Sequence, residues 1–230
     1  MKKTIMSILT GILVIIAYFT VPILCEIPYQ LFNLDFDSFS LTVKITYILL
    51  TNLVTLCLII ILLNHKIKKD FKDFKKNNMY YFKDGLKYWL IGLAIMMISN
   101  LIINTISSEG IANNEDTLRK LFDLSPVYVF FAAVIFAPLL EELTFRLGIR
   151  KIFKNDYIFI IISGVLFGAL HVIDSYKTLF DLLYIIPYSS LGVMFAYMLK
   201  KYDNIFVTVW FHFMHNGLLT ALQFFILFFS

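Results

Sequence analysis

The chain has 230 residues, 60% of them hydrophobic and only 16% charged, with 24 Phe and 13 Tyr; its mean hydropathy is +0.80. A soluble domain carries roughly 45–50% apolar and about 25% charged residues, so composition excludes a soluble fold, and the aromatic content excludes disorder, coiled coil and collagen. What remains is an all-α polytopic membrane helix bundle, and the net charge of +4 is read as a guide to orientation rather than a nucleic-acid signal.

In chain order, seven stretches are apolar over the roughly 20 residues a spanning helix needs: 4–25, 41–64, 86–105, 126–149, 156–173, 178–199 and 204–228. The first, opened by Lys2 and Lys3, has neither a small-x-small cleavage site nor a small residue before Cys25, and is read as an uncleaved span. Between the second and third lie eight lysines in 65–87, with Ile67, Phe71 and Phe74 at helical spacing. That pattern fits either an amphipathic helix on the anionic inner leaflet or a solvated basic loop. Arg146, Arg150, Lys151 and Lys154 mark the end of the fourth span, and Lys200 and Lys201 the end of the sixth. Segments 26–40 and 106–125 lean acidic through Glu26, Asp35, Asp37, Glu109, Glu115, Asp116 and Asp123. The alternation predicts a cytoplasmic N-terminus and an external C-terminus. Neither a repeat nor a low-complexity linker divides the chain. Residues 1–125 (membrane helices plus basic loop) and 126–230 (the chemistry-bearing helices) are expected to form one integrated membrane domain. Cys25 and Cys57 offer neither zinc spacing nor a disulfide framework.

An ionisable side chain inside a bilayer costs several kcal/mol unless paired or solvated. Such groups concentrate in the last hundred residues: Glu141 and Glu142 in the fourth span, His171 in the fifth, His212 and His215 in the seventh. Adjacent helical residues are about 100° apart, so the two glutamates point at different places. Glu142 precedes Arg146 by four, the favourable order for a pair along one face, which leaves Glu141 the free carboxylate. The bland alternative is that both acids pair with Arg146 and hold two helices together. Pro138 removes a backbone bond and is expected to kink the helix beside the pair. Gly164 and Gly168 permit close helix approach, and Phe167 shares a face with His171. His212 and Asn216, four apart, supply two donors, or one metal ligand plus a donor. The soluble H-E-x-x-H signature is absent.

Taken together, Glu141-Glu142-Leu143-Thr144-Phe145-Arg146, Phe167-Gly168-Ala169-Leu170-His171 and His212-Phe213-Met214-His215-Asn216 fit E-E-x-x-x-R, F-x-x-x-H and H-x-x-x-N. In this order they resemble the CPBP family of intramembrane proteases, which comprises the type II CAAX prenyl endopeptidases and the Abi bacteriocin-processing and immunity proteins. The resemblance covers about residues 126–219. It implies an endopeptidase acting on a membrane-associated peptide or lipid-anchored protein. Glu141 is then the catalytic carboxylate, His171 its helper in activating water, and His212 and Asn216 the oxyanion donors, with Glu142, Arg146 and Phe167 structural. The family is usually called metalloprotease, and Glu141, His171 and His212 are the candidate ligands for zinc. Yet Asn216 is a poor zinc ligand and a good oxyanion donor, so the expectation is no obligatory metal. The extra His215 is a third donor or ligand, or packing. A non-proteolytic immunity or scaffold protein of the same fold is the second reading, and a proton-coupled transporter the third. Lys and Asn beside Phe and Ile point to an AT-rich bacterium, hence a bacterial cell membrane.

One geometric tension is visible in the sequence. Counted from the basic end, His171 lies roughly 24 Å deep and Glu141 and His212 roughly 14–16 Å, although all three are expected to meet.

Overall fold

The structure, a computed structural model, describes residues 2–106, 113–173 and 176–229. Glu109 of the expected acidic segment lies outside the described residues, as do the side chains of Asp37 and Glu115. The described elements are helices: α1 (Lys2–Leu31), α2 (Leu41–Ile106), α3 (Asn113–Leu124), α4 (Pro126–Ile152), α5 (Asp156–Ile173), α6 (Leu179–Tyr202) and α7 (Ile205–Phe229). All but the short polar α3 are long and apolar enough to cross a membrane. The polytopic helix bundle is therefore borne out.

The main departure is α2. The stretches 41–64 and 86–105, expected as two spans joined by a basic loop, lie on one uninterrupted helix of 66 residues. Its middle has no Pro, and lysine is a good helix former, so nothing in 65–87 stops the backbone ladder. The helix doubles back on itself: Lys66 and Asp84 of its middle both meet the α6–α7 corner at Asp203 and Lys201, while Tyr47 meets Tyr29 and Asn104 meets Tyr184 at the other end of the bundle, so each apolar arm matches one crossing of the roughly 30 Å hydrocarbon core. The spacing of Ile67, Phe71 and Phe74 is helical, as expected. Its apolar side meets the protein, however: Ile67 and Phe74 pack on buried clusters, and Phe71 sits 5.4 Å from the Phe206 ring. Lys68, Lys72, Lys75, Lys76 and Lys83 are exposed.

Helix ends are set by local chemistry. Ser125 accepts from Tyr128 N at the start of α4 (3.4 Å) with Pro126 in the first turn, where its missing N–H costs nothing. Asn155 Oδ1 accepts from Tyr157 N and Ile158 N at 3.0 and 3.1 Å to open α5. The N-terminus of α7 is capped across the fold, with Asp70 Oδ2 of α2 accepting from Ile205 N at 3.0 Å. Asp203 closes α6 in the left-handed conformation, at φ 47°.

The expected basic segments gather at one end of the bundle. Lys66 reaches Asp203 at 2.7 Å, Lys201 pairs with Asp84, and Arg150 and Lys200 reach Asp156 at 2.7 and 3.7 Å. Lys154 donates to Ser7 of α1 at 3.0 Å. The glycine stripe of α5 packs on α6 as its spacing foretells. A Cβ on Gly164 would stand 2.8 Å from Val193 N, and one on Gly168 2.7 Å from Ile185 O. Cys25 and Cys57 are free thiols.

Candidate active site

α4 carries the two glutamates, and its backbone changes register around them. Residues Phe130–Phe136 and Glu142–Gly148 are π-helical, with the short α-helical Ala137–Glu141 between. Pro138 heads that α-helical piece. Its ring excludes an N–H donor and crowds the preceding turn, and the wide turn before it takes up the misfit without ending the helix. Such π turns are recurrent at functional sites. The expected kink thus takes the form of a register change.

Glu142 and Arg146 are fully buried. Arg146 Nε lies 3.1 Å from Glu142 Oε2, while its Nη1 donates to Ser163 Oγ of α5 at 3.2 Å. The guanidinium also stacks over Phe167, 4.6 Å from the ring centre. Ser163 Oγ in turn donates to Phe145 O at 2.6 Å. Sequence reasoning passed over Ser163, whose only visible signal was its place one residue before the glycine stripe.

His212, 4% exposed, packs against Phe195 and Phe167 and is held from both sides of the glutamate pair. Its Nδ1 is 3.0 Å from Glu142 Oε1, and its Nε2 is 3.7 Å from Glu141 Oε2. A carboxylate only accepts, so Nδ1 carries a proton donated to Glu142, and Nε2 is the nitrogen turned toward Glu141. His171 repeats the pattern: Nδ1 donates to Phe167 O at 2.9 Å, because a carbonyl only accepts. Its ring lies 4.6 Å from Phe167 and stacks on Tyr188 at 4.8 Å.

Glu141 and His171 face one cleft of about 170 Å³, lined also by Tyr18, Phe145, Phe167 and Leu170. Glu141 Oε2 is buried without a hydrogen-bond partner in the protein. The tension in depth is resolved by helix length and side-chain lean. α4 continues to Ile152, so Glu141 is roughly 16 Å from its end, against about 23 Å for His171 from Asp156. Side chains lean toward the N-terminus of their own helix. In antiparallel α4 and α5, Glu141 and His171 therefore lean toward each other.

Asn216 is placed differently: its Nδ2 donates to Ala133 O in the first π segment at 2.7 Å, and it is not among the residues lining the cleft. His215 points to α2, 6.4 Å from the Trp89 ring. Tyr18, from the first span, had no sequence signal at all. Among the described residues, no three His, Cys, Asp or Glu side chains converge in a geometry that holds a metal ion. As arranged, Glu141, His171 and His212 do not converge as the three ligands that a catalytic zinc uses beside its open position.

Comparison with known proteins gives several likenesses. Residues 123–218 match the family model of type II CAAX prenyl endopeptidases, Rce1-like. The resemblance read from the three motifs is borne out. The chain is 26% identical to the membrane-embedded CAAX protease MroQ of Staphylococcus aureus (strain USA300), over 94% of its own length and 88% of that protein. It is 28% identical to the UPF0177 protein YvdC of Lactococcus lactis, over 58% of this chain and 52% of that one. With the putative membrane peptidase YdiL of Bacillus subtilis it shares 26% over 73% and 68%. No solved structure matches it. At the level of the family, these likenesses support an intramembrane protease.

Proposed function

We propose that the chain is an endopeptidase that hydrolyses a peptide bond within or beside the membrane, using water activated by Glu141 and His171. The observation that carries this is the unequal placing of two adjacent carboxylates. Glu142 is committed to Arg146 and His212, while Glu141, whose Oε2 makes no hydrogen bond, lines a cleft shared with His171. Glu141 takes a proton as the water oxygen bonds to the substrate carbonyl carbon. The resulting oxyanion is stabilised by the α7 donors His212 and Asn216. The intermediate collapses when the C–N bond breaks and Glu141 returns its proton to the leaving amine.

The substrate in this reading is a membrane-associated peptide or a lipid-anchored protein of a bacterial cell membrane. The CAAX activity named for MroQ makes a peptide near a C-terminus one concrete form of it. The basic end of the bundle faces the cytoplasm and the C-terminus the outside. Labelling of a cysteine introduced at position 76 from outside intact cells would overturn that orientation.

The decisive experiment compares membrane proteomes of cells carrying the wild type and Glu141→Gln, mapping new N-termini. Peptides formed only with the wild type are expected. If the biological phenotype survives Glu141→Gln with no such peptides, the chain is a non-proteolytic immunity or scaffold protein instead. The metal question has its own test: purified protein is expected to hold well under one zinc per chain and keep its activity in a strong chelator. Stoichiometric zinc, with activity lost on chelation and restored by zinc, would make ligands of His171 and His212.

A further inference from the structure

α1 carries none of the three motifs and lies outside the matched residues 123–218. It is nonetheless seated on α4 at backbone distance. A Cβ on Gly11 would lie 2.5 Å from Gly148 O, and one on Gly148 3.2 Å from Val14 Cγ1. Ser7 Oγ donates to Lys151 O at 3.1 Å. Two turns beyond Gly11 on the same face, Tyr18 meets Phe145 edge-on, 5.2 Å between ring centres, and stands in the cleft wall facing Glu141 and His171.

The size and lining of the cleft limit its occupant. Apart from Glu141 and His171, its wall is Tyr18, Phe145, Phe167 and Leu170. An apolar cavity of about 150 Å³ holds a benzene ring. The 170 Å³ here therefore suits one side chain the size of Leu or Phe. A long isoprenoid chain, with several times the carbons of benzene, would have to extend out of the open side of the cleft. An acidic side chain would face the Glu141 carboxylate as well as these four apolar or aromatic neighbours.

Resting on the protease reading, we propose that Tyr18 forms the wall of a pocket for the side chain beside the scissile bond, and that it selects a compact apolar residue there. Any lipid on the substrate stays outside this pocket, along the lipid-facing surface of the helices. The geometry makes α1 a specificity element, clamped by Gly11 and Gly148 so that the Tyr18 ring sets the depth of the pocket.

The test uses the full-length protein in lipid nanodiscs and an internally quenched peptide series identical except at the mapped cleavage position, which carries Ala, Leu, Phe, Trp or Asp. The wild type is expected to favour Leu and Phe over Ala and Asp by roughly 10-fold or more in kcat/KM, the discrimination that filling a pocket by a few methylenes gives. Tyr18→Ala deepens the pocket and moves the preference toward Trp; Tyr18→Trp shortens it and moves the preference toward Ala. A merely structural Tyr18 would scale every peptide by one factor. Unchanged ratios with cleavage still dependent on Glu141 would therefore overturn the pocket assignment alone. Cleavage that survives Glu141→Gln, or a wild type that cleaves no member of the series, would overturn the protease reading along with it.

Discussion

α2 is α-helical over 66 residues, through an apolar arm, a lysine-rich middle and a second apolar arm. α4 changes register twice within 27 residues. The contrast separates two things that composition blurs. A change of solvent along a helix moves its charges to the surface without breaking the ladder: in α2, Lys68, Lys72, Lys75, Lys76 and Lys83 simply face outward. Charges that cannot face outward are different. In α4, Glu142 and Arg146 are wholly buried, and the backbone around them is adjusted so that Arg146, Ser163 and His212 all find Glu142 or its neighbours. Substitutions in the two helices should differ accordingly, and the following outcomes would break or sharpen that contrast.

The largest effect is expected at Glu141. Glu141→Gln keeps shape and removes the base, so turnover should fall by about 10²–10⁴, while the thermal midpoint stays near that of the wild type because no buried partner is stranded. Activity within a few-fold of wild type would remove Glu141 from the chemistry.

Next comes Glu142→Gln. Arg146 would keep Ser163 and the Phe167 face but lose its counter-charge. Removing one partner of a buried pair costs about 3–5 kcal/mol, so the yield of folded protein in mild detergent should collapse. Normal folding of this variant would mean that the buried network of α4 resembles the surface of α2 more than its burial indicates.

Much of this division was legible before any coordinates. The E-E-x-x-x-R spacing separated the paired glutamate from the free one because four residues along a helix share a face whatever surrounds them. The stripe of Gly164 and Gly168 marked a close contact because small residues leave only backbone to touch. Whether 65–87 is helix or loop stays open in the sequence, since a lysine-rich stretch carries the same letters in either and only the absence of Pro separates them. The π turns were invisible, because register depends on where Pro138 and the buried ions settle against α5 and α7. Tyr18 was invisible for another reason: its partner Phe145 is distant in sequence, and neither residue departs from the apolar run around it. Asn216 could be assigned a face but not a partner, and its bond to Ala133 O exists only because α4 widens there.

A third outcome tests the packing that holds the site. Gly164→Ala places a methyl 2.8–2.9 Å from the Val193 backbone, which cannot rotate aside. Overpacking of this kind costs about 1–3 kcal/mol, and α5 should move away from α6, loosening His171 as well. Gly217→Ala in α7 is the matched control. Its new methyl would approach nothing closer than Val134 Cγ1 at 3.7 Å, so stability should hold or rise slightly through helix propensity. Equal losses from both variants, measured by thermal shift in the same detergent, would deny the close α5–α6 contact.

The smallest effect belongs to the lysines of α2. Lys72 and Lys75 are exposed, and among the described residues neither has an acidic side chain within ion-pair distance. Exposed side chains without such partners usually change stability by no more than about 0.5 kcal/mol when replaced. Lys72→Gln and Lys75→Gln should therefore leave the thermal midpoint and turnover in detergent unchanged, and circular dichroism should report the same helix content. Lys66→Gln is the informative contrast on the same helix. Lys66 reaches both Asp70, which caps α7, and Asp203, so its loss should cost up to about 1 kcal/mol, near the upper end for partly exposed pairs. A loss at Lys75 as large as at Lys66 would mean that the outward stripe has a partner of its own within the protein, and the contrast between a solvated α2 and a buried ionic α4 would fail at that point.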